Sequence, residues 1–114
     1  MDTQLKYYHY KAKVISVYDG DTIDVQVDLG FNVLHNIKLR LFGINAPEIR
    51  GVSKEKGIEV QKYLSNLIVG KEVIIETFKF KKGKYGRYLG IVFLNGLNVN
   101  THLIEKGLVK EYII

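Results

Sequence analysis

The chain has 114 residues, 46% hydrophobic and 25% charged, with no cysteine and a formal charge of +5. That length suits a single domain spanning residues 1–114, with a real core and no room for a second domain. Missing cysteine excludes disulfides and thiolate-bound zinc, and no apolar run is long enough to span a bilayer, so no membrane role is expected. A pI near 9.3 suits polyanionic partners such as nucleic acid. The opening residues MDTQLKYYHY lack the charged-then-apolar pattern of a secretory signal. The expectation is a cytoplasmic protein, although a mature secreted form would read the same way.

In chain order, residues 11–17 and 22–29 read as two strands joined around Asp19-Gly20, a dipeptide favoured in tight turns. Ile23, Val25, Val27 and Leu29 alternate with Thr22, Asp24, Gln26 and Asp28, the period of a half-buried strand. Asp21 falls in phase with the apolar set, where a bare charge is costly unless it meets a cation or hydrogen-bond donors. A third strand, about residues 36–44, places Ile37, Leu39 and Leu41 on one face and Lys38, Arg40 and Phe42 on the other, with Pro47 as its stop. Val60, Leu64, Leu67 and Ile68 have helical spacing, which predicts a helix over about 53–69 ended by Gly70. Strands over about 72–80 and 87–94 flank a basic turn, and Asn95-Gly96 marks the next reversal. A short helix over about 99–106 takes Asn98 or Asn100 as its cap and Gly107 as its terminator. Five short strands with a helix after the third predict a mainly β fold with added helices, a small closed barrel of the oligonucleotide-binding type.

Three charged clusters punctuate this pattern. Asp19-Gly20-Asp21-Thr22 lies upstream, Arg40-Leu-Phe-Gly-Ile-Asn45-Ala-Pro47-Glu48 in the middle, and Lys84-Tyr85-Gly86-Arg87 downstream. Acid, base and two guanidinium groups are what cutting a phosphodiester near a bound cation requires. Lys79, Lys81, Lys82, Lys84 and Arg87, interleaved with Phe80 and Tyr85, have the composition of a phosphate-contacting and base-stacking surface. The plainer alternatives are an Arg40–Glu48 structural ion pair and a solvated lysine-rich hairpin tip. His9, His35 and His102 lack metal-ligand spacing and read as ordinary surface or strand-edge residues.

These three clusters, in this order, resemble those of the staphylococcal nuclease (thermonuclease, SNase-like) family over nearly the whole chain. The resemblance implies a five-stranded OB-fold barrel with two helices and calcium-dependent hydrolysis of DNA or RNA phosphodiesters with little sequence preference. It implies metal binding by Asp21, with Asn45 and the carbonyl of Ala46 assisting. Glu48 is implied as general base, Arg40 and Arg87 as phosphate-binding and transition-state-stabilising groups, and Lys84 and Tyr85 as nucleotide contacts; Tyr112 is a further candidate, as a ring near the nucleotide. The expected substrate is single-stranded or frayed nucleic acid. Asn45 stands where the family usually has a second metal-binding aspartate, which predicts weaker cation binding because an amide brings an oxygen but no charge; Asp19 is the candidate compensating charge. The competing expectation is a catalytically weak or inactive nucleic-acid- or protein-binding module on the same barrel. Oligomeric state is not legible in the sequence.

Overall fold

The computed structural model describes residues 8–82 and 87–112. The elements are β1 (His9–Asp19), β2 (Thr22–Asp28), β3 (Leu34–Leu41), β4 (Ile44–Asn45), a 3-10 turn (Gly51–Ser53), α1 (Lys54–Ile68), β5 (Glu72–Lys82), β6 (Tyr88–Leu94), β7 (Leu97–Asn98), α2 (Val99–Glu105) and β8 (Lys110–Glu111).

Strand order β3-β2-β1-β5-β6, with β3 pairing in parallel to β6, closes five strands into a barrel. The expected fold class is therefore the one observed. β1 can serve two partners because it is long: its first half pairs with β5, from His9↔Glu76 to Lys13↔Glu72, while Lys11 to Asp19 follow β2. Register shifts between Val14 and Ser16 and between Val17 and Asp19 bend it around the core. Closure joins Leu39, Arg40 and Leu41 to Tyr88, Leu89 and Gly90. This seam sets the start of β2, the end of β3 and the start of β6 side by side at one barrel end.

The alternation in β2 buries Ile23, Val25 and Val27, and the helical spacing in α1 buries Gly57, Val60, Leu64 and Ile68. Each large aliphatic side chain so removed from water contributes about 1.5–3 kcal/mol. α1 lies against the end of β1, where Gln61 Nε2 donates to the Tyr18 carbonyl at 2.7 Å. The Tyr63 hydroxyl meets His102 Nε2 at 2.7 Å and ties α1 to α2. Gly70 and Gly107 follow the two helices with φ of +81° and +73°, a conformation that favours glycine, as their placement predicts.

One local expectation changes and two are refined. The third strand stops at Leu41, not near Ile44: Gly43 (φ +83°) turns the chain, and Ile44–Asn45 forms a separate strand paired with β8. Gly20 is required for a reason other than turn conformation. A Cβ there would lie 2.5 Å from Val60 Cγ1 and 2.7 Å from the Ala46 Cβ, so the glycine lets α1 and the 46–48 segment approach the β1–β2 turn. Of the two candidate caps, Asn98 serves α2, its side chain accepting from Thr101 N at 3.0 Å. Asn100 is buried and bonds to the backbone of β6 and to the Phe42 carbonyl just after β3.

Candidate functional site

Pairing places the charged clusters together. Thr22 is the register partner of Arg40, and Arg40 is the partner of Leu89. The Asp19-Gly20-Asp21-Thr22 turn, the end of β3 and the approach to β6 thus share one end of the barrel.

Asp21 is 6% exposed, as its phase with the apolar residues predicts, and its carboxylate is fully engaged. Oδ2 accepts from the Ala46 amide at 2.8 Å and lies 3.5 Å from Arg40 Nη1, while Oδ1 accepts from the Thr22 hydroxyl at 3.1 Å. These contacts supply the cation and donors that a buried carboxylate needs. Arg40 is in turn over-determined. Nη1 donates to the Ile44 carbonyl at 2.9 Å and the Leu41 carbonyl at 3.1 Å, and Nη2 donates to Asn45 Oδ1 at 3.0 Å. Arg87 joins through Thr22, Nη1 donating to Oγ1 at 3.4 Å. Asp21, Arg40, Asn45, Ala46 and Arg87 therefore form one connected cluster, with Thr22 as the link between its two arginines.

Asp19 completes the cluster. Its carboxylate accepts from the Asp21 amide at 3.0 Å. Burial, then the hydrogen bond and the charge of the Asp21 side chain, push its pKa up to about 6. Sequence reading offered Asp19 only as a compensating charge; adjacency within the turn was the available signal, and the local geometry decides the rest.

Glu48 sits two residues beyond Ala46, exposed at the rim. Among the described residues its carboxylate makes no hydrogen bond or ion pair, so the structural Arg40–Glu48 pair does not form. Its backbone, however, is held: the Glu48 carbonyl accepts from Ser53 Oγ at 3.4 Å and rests on Gly57 of α1. Tyr112 follows β8 with its ring half exposed, and its amide donates to the Gly43 carbonyl at 2.8 Å. Lys84 and Tyr85 lie outside the described residues.

The oxygens of Asp21 and Asn45 are brought together by Arg40, which touches both. Oxygen donors of this kind fit a hard divalent cation and suit zinc or copper poorly. The part of Ala46 that meets Asp21 is its N–H. Among the described residues no three His, Cys, Asp or Glu side chains converge, so any such ion would rest on few charges. Two guanidinium groups beside a buried carboxylate and an exposed one can bind a phosphodiester, neutralise charge on its oxygens and accept a proton from water.

Similarity to known proteins bears on this arrangement. The chain is 32% identical over 130 residues to uncharacterized protein MJ1439 of Methanocaldococcus jannaschii, covering 92% of this chain and 60% of that protein. It is 32% identical over 105 residues to the thermonuclease of Staphylococcus hyicus, covering 86% and 57%. With the micrococcal nuclease of Shigella flexneri it shares 28% over 112 residues, covering 90% and 59%. The chain thus spans less than two thirds of the length of these relatives. The family profile described as staphylococcal nuclease homologue matches residues 38–114, a span that holds Arg40, Asn45, Glu48 and Arg87 and leaves the Asp19–Thr22 turn outside it. By that match, over most of its length, this chain belongs to the staphylococcal nuclease homologues.

Proposed function

We propose that this chain is a calcium-dependent nuclease that hydrolyses phosphodiester bonds of single-stranded or frayed DNA or RNA with little sequence preference. The observation that carries this reading is the Asp21–Thr22–Arg87 and Asp21–Arg40–Asn45 hydrogen-bonded cluster at one barrel end, with the exposed Glu48 two residues beyond Ala46.

In this reading Arg40 and Arg87 grip the non-bridging phosphate oxygens, and their charge, fixed at any working pH, stabilises the pentacoordinate state. Glu48 takes a proton from the attacking water; its carboxylate is exposed and makes no hydrogen bond or ion pair among the described residues. Asp21, Asn45 and the Ala46 carbonyl would hold the cation. Bound there, calcium supplies Lewis-acid polarisation of the phosphate and orients water. Lys84, Tyr85 and Tyr112 are assigned to contacts with the flanking nucleotide.

Cleavage of a labelled single-stranded oligonucleotide over a calcium series, with a chelator control and Glu48→Gln in parallel, tests the proposal. Metal-dependent cutting, reduced by about 10²–10⁴ in the variant, is the expected result for loss of a general base. Binding without cutting at any calcium concentration would overturn the nuclease reading. It would favour instead a barrel kept as a nucleic-acid-binding module, the alternative to which the neutral Asn45 points.

A further inference from the structure

The segment that carries Glu48 also forms one wall of an open groove of about 790 Å3, whose other wall is the 107–110 segment. Asn45, which Arg40 holds, is one of its lining residues, so the groove adjoins the arginine cluster. Three cations line it: Arg50, Lys56 and Lys110, against Glu48 as the one lining carboxylate. Lys110 is fixed in place by register, since it is the β8 partner of Asn45 in β4. Arg50 and Lys110 are exposed and make no ion pair among the described residues. Among the described residues Lys56 pairs with Glu59 alone, at 3.6 Å, in an exposed pair of the kind that holds its partner weakly. The lining also includes apolar Pro47, Val52, Leu108 and Val109, of which Pro47 and Leu108 are half-buried.

Three cations sharing one groove with apolar side chains suit a phosphate backbone whose sugars and bases rest on the apolar surface. Continuity with the arginine cluster distinguishes this from a scattered basic face. A strand whose phosphate sits at Arg40 and Arg87 has this groove as its next surface on the Glu48 side.

We propose that the groove is a binding track for the backbone of a nucleic-acid strand on the Glu48 side of the scissile phosphate, with Arg50, Lys56 and Lys110 as its phosphate contacts. The proposal rests on the nuclease reading of the adjoining cluster. It extends that reading from one phosphate to a run of them.

The test is fluorescence-anisotropy binding of single-stranded DNA in a Glu48→Gln background with calcium present, so that the strand is held and not cut. A triple variant, Arg50→Gln with Lys56→Gln and Lys110→Gln, is compared with Lys11→Gln, Lys13→Gln and Lys62→Gln, which removes the same charge from exposed positions outside the groove. For an oligonucleotide of about 16 residues, the groove variant should bind about tenfold or more weakly at low salt. Its slope of log affinity against log salt should flatten by about 2, from three lost contacts at about 0.7 each. A dinucleotide should bind both variants alike. Equal weakening by the two triple variants, or full retention of long-strand binding by the groove variant, would overturn the proposal. So would a groove variant that loses binding to polyglutamate but keeps the oligonucleotide, which would assign the groove to an acidic protein. Failure of the nuclease reading appears separately, as absent cleavage by the unsubstituted protein, while the groove is judged by binding alone.

Discussion

Arg40 Nη2 donates to the side-chain oxygen of Asn45 at 3.0 Å, so the arginine spends part of its fork on a neutral amide. Its other terminal nitrogen lies 3.5 Å from the Asp21 carboxylate. One guanidinium therefore spans the two side chains to which a cation is assigned, and their combined charge is that of a single carboxylate.

Asn45→Asp should strengthen calcium binding, because a second carboxylate adds charge at an oxygen already placed beside Asp21. A tighter pair with Arg40 works against part of this gain, so the expected change is about tenfold in Kd, or about 1.4 kcal/mol. Calorimetric titration of both proteins measures it directly. Equal affinities would remove position 45 from the ion's surroundings.

The position of Glu48 depends on a glycine one helix away. A Cβ at Gly57 would overlap the Glu48 carbonyl and lie 2.9 Å from Ile49 Cα, and these are backbone atoms that cannot rotate aside. Gly57→Ala should therefore destabilise by about 1–3 kcal/mol through overpacking, despite the gain of about 1 kcal/mol in helix propensity. It should also lower kcat by shifting Glu48, while Glu48→Gln lowers kcat with stability unchanged. Denaturant unfolding and single-turnover cleavage on the two variants separate these effects. A Gly57→Ala protein that is both stable and fully active would show that the 46–49 segment does not depend on this packing.

Much of this site was legible because its parts follow simple periods. Asp21 is in phase with Ile23 and Val25, and its burial follows from that phase alone. The five strands were visible as alternating runs, and the two helix ends as glycines. What was not legible depends on contacts between distant segments. Gly20 looks like a turn residue until Val60 and Ala46 arrive against it, and Gly57 looks like a weak point in a helix until the Glu48 carbonyl rests on it. The break after Leu41 was hidden because the apolar stretch Leu41-Phe42-Gly43-Ile44 runs on to Pro47 with a single glycine as its stop signal, although Ile44 pairs with β8 instead. Periodicity reports which face is buried and does not name the partner.

The pH dependence of stability should carry a signature of Asp19. Burial, with the hydrogen bond and charge of Asp21, raises its pKa from 3.8 to about 6 in the folded protein. Between those values the folded state holds a proton that the unfolded state has lost, so stability falls as pH rises from about 4 to about 6 and is flat above that range on this account. The group is partly exposed, and solvent screening limits the fall to about 1 kcal/mol. Denaturant midpoints measured across that range in chelator should show the fall, and Asp19→Asn should abolish it. An unchanged profile in Asp19→Asn would assign the titration elsewhere.

Asn98 and Asn100 are two residues apart and equally plausible as caps in the sequence, and the structure gives them unequal work. Asn98 accepts one bond, from the exposed Thr101 amide at 3.0 Å, so Asn98→Ala should destabilise by about 1 kcal/mol. Asn100 is 4% exposed. Its Oδ1 accepts from Val92 N at 3.1 Å, and its Nδ2 donates to the Phe42 carbonyl at 2.9 Å and to the Gly90 carbonyl at 3.2 Å. Gly90 is also the parallel partner of Leu41 in the closing seam, one residue along from Arg40. Asn100→Ala leaves buried backbone groups without these partners, each at about 1–3 kcal/mol, and should destabilise by about 2–4 kcal/mol in all. Tm should fall by roughly 10 °C or more. Cleavage well below the new Tm should persist, because Asn100 touches none of the cluster side chains. Thermal unfolding of the two alanine variants decides the matter, and an Asn98→Ala protein less stable than Asn100→Ala would refute the assignment of Asn100 as the residue that ties α2 to the barrel seam.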